Sequence, residues 1–162
     1  MSTLSWLDDA RLGQSPTGDW HFNPALAEAQ AALTGTVIAP LAHLGAIRAA
    51  GAEADVFLQN QLSNDLKALR ADNAQLSSYN SPKGRVLELF TLRRDGEQAV
   101  LLEARRDNLA ATLKRLRMFV LRSKLTLEDL GDRYAAFGLA GAQAAALLAQ
   151  AGLPAPEADW AV

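Results

Sequence analysis

Two short polar clusters hold the residue types that could do chemistry. The denser is Phe57-Leu58-Gln59-Asn60-Gln61-Leu62-Ser63-Asn64-Asp65. Gln59, Gln61, Asn64 and Asp65 bring amides and a carboxylate to the end of one short helix. Amides both donate and accept hydrogen bonds, which suits a heterocycle whose edge alternates donors and acceptors, such as a pterin ring. A structural reading competes with this one, because Ser63, Asn64 and Asp65 are also the residues that cap helices and turn chains. The second cluster is Tyr79-Asn80-Ser81-Pro82-Lys83-Gly84-Arg85. A rigid Pro-X-Gly turn between two strands can aim Lys83 and Arg85 at an anion, either a glutamate tail or a phosphate. The competing reading is a solvated hairpin turn with two surface cations.

A third cluster is basic: Arg105, Arg106, Lys114, Arg115, Arg117, Arg122 and Lys124. It could present a positive stripe to RNA. The same charges are what the solvent side of a helix carries when Leu109, Leu113 and Leu116 face inward, and cations near a helix C-terminus complement its dipole. Asp65 and Glu88 are the only acids lodged among apolar or motif residues. No Ser-His-Asp arrangement, nucleophile elbow, spaced carboxylate pair or phosphate-binding glycine loop is present, so no catalytic residue is assigned.

Composition narrows the field further. The chain has 162 residues, no cysteine, two histidines and a formal net charge of −2. Disulfides, thiolate catalysis and cysteine-held metals or clusters are excluded within it. His21 and His43 cannot make a histidine-rich metal site, and no metal is expected. There is no global attraction to polyanions. Residues 1–20 contain no apolar run of signal-peptide length, and no apolar stretch approaches a membrane span. The chain reads as a soluble, cytoplasmic protein.

The elements that would position these clusters follow from periodicity and punctuation. Residues 1–23 lack periodicity and read as a flexible arm. Asn23-Pro24 opens a helix that Gly35 ends. Residues 36–50 form a strand region that Pro40 and Gly45 interrupt, so a bent strand or two short ones is expected. Residues 52–61 form a helix with Ala54, Phe57, Leu58 and Gln61 on one face. Strands follow at 74–79 and 85–91, and the Arg94-Asp95-Gly96-Glu97 turn returns the chain through 99–102. Asp107 is the expected N-cap of a helix to about Arg117, and 123–127 forms another strand. The order β-α-β-β-β-α-β gives an α+β domain over 24–130, a mixed or antiparallel sheet of split βαβ character with packed helices.

Beyond it, 134–139 is strand-like and 140–151 helical. Here the chain echoes itself: Ile47-Arg-Ala-Ala-Gly-Ala-Glu-Ala-Asp-Val-Phe-Leu58 matches Phe137-Gly-Leu-Ala-Gly-Ala-Gln-Ala-Ala-Ala-Leu-Leu148 at a constant offset of 90 residues. In both, a strand meets a Gly-Ala-X-Ala helix start, where Gly permits a sharp turn and Ala a close approach to the sheet. Coincidence between two alanine-rich helix starts is one explanation. The other is a duplicated α/β lobe, with 131–162 the start of a second, truncated copy.

Three stretches together resemble the front half of YgfZ-type folate-binding proteins of the aminomethyltransferase (glycine cleavage T-protein) superfamily. They are Gly51-Ala-Glu-Ala-Asp-Val-Phe-Leu-Gln-Asn-Gln-Leu-Ser-Asn-Asp65, Tyr79-Asn-Ser-Pro-Lys-Gly-Arg-Val86 and Leu113-Lys-Arg-Leu-Arg-Met-Phe-Val-Leu-Arg-Ser-Lys124. The resemblance implies an aminomethyltransferase-like fold whose three subdomains surround a channel for tetrahydrofolate. Gln59, Gln61, Asn64 and Asp65 would lie near that channel, and Tyr79, Lys83 and Arg85 would belong to its wall. It further implies an accessory role for iron–sulfur enzymes or their assembly proteins and, through them, in tRNA modification, without catalysis of its own. The alternatives are a folate-dependent aminomethyltransferase and a module contacting RNA or protein. Direct tRNA binding and membrane binding are not expected; the oligomeric state is left open, a homodimer being one outcome because an incomplete lobe exposes apolar surface that a second copy could cover. Two departures stand out. The family's Lys-Gly-Cys-Tyr-X-Gly-Gln-Glu motif is absent. Where aminomethyltransferases carry Gly-Gly followed by an Asp, this chain has Lys83-Gly84-Arg85-Val86-Leu87-Glu88.

Overall fold

The computed structural model describes Gly13–Gln14, Trp20–His21 and residues 25–162. Apart from the antiparallel pair β1 (Gly13–Gln14) and β2 (Trp20–His21), the arm expected over 1–23 lies outside the described residues. The elements that follow are α1 (Ala25–Thr34), β3 (Val37–Pro40), β4 (Leu44–Ala50), α2 (Ala54–Gln61), β5 (Gln75–Asn80), β6 (Val86–Arg94), β7 (Ala99–Arg105), α3 (Arg106–Val120), β8 (Thr126–Asp129), β9 (Phe137–Ala140) and α4 (Ala144–Gln150). They fall into two compact units. One comprises residues 43–131 with 156–162, the other the residues up to 42 with 132–155.

The first unit is built on a five-stranded sheet in the order β5-β6-β7-β4-β8, antiparallel throughout. Strand alternation puts Ile47 and Ala49, Phe90 and Leu92, and Val100, Leu102 and Ala104 on one face, all buried. Phe57 and Leu58 of α2 and Leu109, Leu113 and Leu116 of α3 close over that face in a single core. Each such buried side chain contributes roughly 1.5–3 kcal/mol relative to exposure. The α2 face agrees with the periodicity reading for Ala54, Phe57 and Leu58; Gln61, at the helix end, is half-buried.

Two local readings are corrected. Gly45 does not interrupt a strand: it lies inside β4, where a Cβ would come within 2.5 Å of Leu109 Cδ1. The missing side chain lets α3 lie close on the sheet. Asp107 is not the N-cap of α3; Arg105 holds that position, and Asp107 sits in the first turn, 3.2 Å from the Arg105 guanidinium. The strand region 36–50 resolves into two strands with different partners, β3 pairing with β9 and β4 with β7 and β8.

The echoed segments adopt the same local geometry. Gly51 (φ +140°) and Gly141 (φ +120°) each follow a strand, and the Ala54 and Ala144 N–H groups donate to Gly51 O and Gly141 O at 3.0 and 3.1 Å. Glu53 and Gln143, the helix N-cap positions, have matching dihedrals of φ −111°, ψ 12° and φ −102°, ψ 9°. Each glycine abuts the backbone that leads into an antiparallel partner strand: Lys124 and Leu125 before β8 at Gly51, Gly35 and Thr36 before β3 at Gly141.

Candidate functional site

Helix α2 ends at Gln61 because Leu62 turns to an extended conformation, φ −110° and ψ 158°. The chain then runs back along β5. Leu62 bridges to Tyr79, the Ser63 N–H donates to Ser78 O at 3.0 Å, and the Asn64 N–H donates to Ser77 Oγ at 3.1 Å. This segment therefore joins the amide-rich helix tip to the strand that feeds the 81–85 turn. The two predicted clusters are connected, and β5 is the connection.

The side chains divide along it. Gln59 Oε1 accepts the Leu66 N–H at 2.8 Å. Asn64 uses both ends of its amide, Oδ1 accepting the Asp65 N–H at 3.0 Å and Nδ2 donating to Leu76 O at 2.9 Å. Asp65 Oδ1 accepts the Lys67 N–H at 3.1 Å and caps a one-turn 3₁₀ helix, Leu66–Ala68. These three side chains fix the backbone after α2, and at least one of the bonds must break for any of them to meet a ligand in full. Gln61, the last residue of α2, immediately precedes the Leu62–Tyr79 bridge and is half-buried.

The turn itself is closed by three hydrogen bonds: Ser81 N–H to Arg85 O at 2.8 Å, Gly84 N–H to Ser81 O at 2.9 Å, and Arg85 N–H to Ser81 Oγ at 3.1 Å. Gly84 takes φ +75°, which a Cβ would resist. Lys83 and Arg85 are exposed on this closed frame, so their charges are available without an enthalpic cost of unpairing.

Tyr79 is buried and lines a cavity of about 180 Å³ with Leu87, Asn108, Ala111, Thr112 and Arg115. The register shift between Tyr79 and Asn80 opens the space: β6 has one extra residue there, Leu87, which packs toward the core. Gln59 lines a different cavity, of about 240 Å³, with Asp55, Val56, Asn60, Leu66 and Lys67. Both fall below the roughly 300 Å³ at which sites for drug-sized ligands begin. Neither alone encloses a ligand of folate size. Asn108 and Thr112 escaped the sequence reading, which had Arg115 only as part of the basic stripe; the signal available was the spacing of these residues, four and then three apart along α3, with Thr112 interrupting an apolar face.

Glu88 is paired with Tyr79 in the β5–β6 ladder and is buried. Its Oε1 accepts the Leu89 N–H at 3.2 Å, while Oε2 is buried without a hydrogen-bond partner among the described residues. An orphaned buried oxygen costs about 1–3 kcal/mol, a deficit typical of positions kept for function. We expect Glu88→Leu to raise the midpoint of urea unfolding, by up to about 2 kcal/mol of stability. An unchanged or lowered midpoint would mean that the carboxylate is satisfied in solution. Among the described residues no group of three or more His, Asp or Glu could hold a metal ion, and no helix is long and apolar enough to cross a membrane.

Residues 13–157 match the GCVT N-terminal domain family, most of the chain. The chain belongs to that family. Its relatives carry more than one name. An aminomethyltransferase of Thermus thermophilus is 33% identical over 108 residues, 67% of this chain and 31% of the relative. The tRNA-modifying protein YgfZ of Colwellia psychrerythraea is 28% identical over 127 residues, 78% of this chain and 37% of that one. An iron–sulfur cluster assembly factor IBA57 homolog, mitochondrial, of Mycosarcoma maydis is 30% identical over 109 residues, 60% and 27% of the two chains. This GCVT N-terminal domain thus spans about a third of the length of the curated relatives it matches. Its fold is that of the glycine cleavage system aminomethyltransferase T of Bartonella henselae, with a TM-score of 0.77 at 24% identity over 96% of this chain and 44% of that one.

Proposed function

We propose that this chain is the folate-binding front part of an accessory protein that supports iron–sulfur enzymes and, through them, tRNA modification. The observation that carries the reading is membership of the GCVT N-terminal domain family with Lys83-Gly84-Arg85-Val86-Leu87-Glu88 where aminomethyltransferases have a Gly-Gly followed by an Asp. YgfZ and an iron–sulfur assembly factor among the relatives support it. In this reading tetrahydrofolate lies along the strand that joins the two clusters. Gln61 and Tyr79 face its ring system, Gln59, Asn64 and Asp65 hold the neighbouring wall, and Lys83 and Arg85 meet its glutamate carboxylates. The folate-binding domain, read from the sequence as 24–130, is better bounded as residues 43–131 with 156–162, because β3 pairs with β9 rather than with the five-stranded sheet, and the protein works in the cytoplasm.

Titration calorimetry of tetrahydrofolate into the protein made from its full reading frame tests this. A saturable one-to-one heat is expected. Lys83→Ala with Arg85→Ala should weaken it at least about tenfold, because each charge-assisted contact is worth about 1.5–3 kcal/mol. Both residues are exposed, so the melting temperature should not move. No saturable heat would overturn the proposal.

The 33% identity to an aminomethyltransferase favours a second reading, folate-dependent aminomethyl transfer. Turnover with a lipoyl carrier protein under saturating folate would select it. Folate binding without turnover would select the first.

A further inference from the structure

The cavity of about 240 Å³ beside Gln59 has two walls. Asp55, Val56, Gln59 and Asn60 of α2 form one, and Leu66 and Lys67 of the 3₁₀ turn form the other. Most of what holds the second wall is local. Asp65 Oδ1 accepts the Lys67 N–H, and Gln75 Nε2 donates to Asp65 O at 2.9 Å. Asn73 accepts the Arg70 N–H at 2.8 Å and donates to Ala68 O at 3.1 Å. Leu66 and Leu69, each 2% exposed, pin the segment to the core. Among these ties only the bond from Leu66 N–H to Gln59 Oε1 crosses the cavity. It is lost whenever Gln59 turns to a ligand.

A second tie spans both walls and asks nothing of Gln59. Arg94, the last residue of β6, donates from Nη1 to Asp55 Oδ1 at 2.6 Å and from Nε to Leu69 O at 3.1 Å. Asp55 lies in the first turn of α2, and Leu69 closes the 3₁₀ turn. One guanidinium therefore grips the two ends of the stretch that carries Gln59, Gln61, Asn64 and Asp65. Its planar frame fixes the angle between the two donors, which an ammonium would not do. The Arg94 side chain is only 16% exposed, so solvent screens the clamp less than it screens a pair on open surface.

We propose that Arg94 is a positioning residue for the amide-bearing wall: it keeps α2 and the 3₁₀ turn at one separation when Gln59 lets go of Leu66. The proposal rests on the folate reading above and adds a division of labour to it. Arg94 ends the nine-residue β6, and the turn with Lys83 and Arg85 precedes its start, roughly 27 Å away at 3.4 Å per residue. The clamp thus acts on the ring system, and the glutamate tail is left to the turn. Arg94 itself touches no ligand. Its effect is preorganisation, which improves affinity by removing an ordering cost.

Titration calorimetry of tetrahydrofolate with one and with three glutamates, into the protein made from its full reading frame, tests this. Arg94→Met removes both donors and keeps the stem. It should weaken both ligands about tenfold, leaving the advantage of the longer tail unchanged. Lys83→Ala with Arg85→Ala should erase that advantage instead. Leu127→Ala, a core truncation in β8 at the opposite edge of the sheet, should lower stability and leave affinity alone. Hydrogen exchange reads the position directly: in Arg94→Met the Leu66 and Lys67 amides should exchange about tenfold faster while those of β7 keep their rates. Should Arg94→Met fold poorly, Arg94→Lys takes its place, with an expected loss of about threefold because it keeps a donor but not the fixed pair. A parent that binds folate and an Arg94 variant that binds it equally well overturn the clamp and spare the folate reading. Equal weakening by Leu127→Ala, or faster exchange spread over the whole sheet, reduces Arg94 to a stabilising residue and also overturns it. A parent without saturable binding overturns the folate reading, and the proposal with it.

Discussion

Alanine at position 51 should cost roughly 3–5 kcal/mol, enough to leave a domain of ordinary stability largely unfolded. Gly51 holds φ +140°, where an L side chain is strained, and its Cβ would run into Lys124 O and come within 2.7 Å of Leu125 Cα. Both are backbone atoms fixed at the start of β8, so nothing flexible can yield. Gly96→Ala is the control. That glycine has φ +80° with nothing within 4 Å of the added Cβ, and the expected penalty is about 1–2 kcal/mol from conformation alone. Urea unfolding of the two variants should therefore differ by roughly 2–3 kcal/mol, and that difference is the collision. Gly141→Ala, with φ +120° and Thr36 Cα at 2.6 Å, should damage the other unit in the same way. Equal midpoints for Gly51→Ala and Gly96→Ala would show that β8 can move away.

Phe90→Ala should cost about 3–5 kcal/mol, the range for emptying an aromatic site in a core. Phe90 is fully buried near the centre of β6. Leu89, its neighbour on the opposite face, is 61% exposed, and Leu89→Ala should stay within about 0.5 kcal/mol of the parent. The contrast across one peptide bond tests the register of the whole sheet. A one-residue slip would exchange the two outcomes. Chemical denaturation with the slope held fixed reads both values.

What the sequence made legible was local. The Asp95-Gly96 turn, the alternating run of β6 and the three-and-four spacing of Leu109, Leu113 and Leu116 each announce their element through neighbours a few residues away. The echo at 90 residues was visible because a turn that demands glycine constrains its own immediate surroundings. What stayed hidden depends on distant partners. Gly45 looked like a break because the reason for it, Leu109, arrives 64 residues later. Asp107 looked like a cap because nothing nearby says that β7 runs straight into α3. In the site, residue types were legible and their occupation was not. Gln59 and Asn64 have the groups to grip a heterocycle, but Leu66 N–H and Leu76 O already hold them. Glu88 was visible as an acid among apolar residues, but its orphaned oxygen was not, because satisfaction is a property of the packed ladder. The exposed Leu121 lay outside any pattern, since exposure follows from where α3 stops.

The position of β4 in the sheet has a kinetic consequence. Its two neighbours are β7 and β8, so Ala49 must wait for Val100 on one side and Leu127 on the other. As the chain leaves the ribosome, the first strand of this sheet to emerge is the last able to acquire both its ladders. The meander β5-β6-β7 can close through short turns at once and offers the free edge of β7 as a template. Loop closure then makes the docking of β4 the slow event. Until it happens a small, apolar strand has two bare edges, which is the interval in which a chaperone would have most to protect.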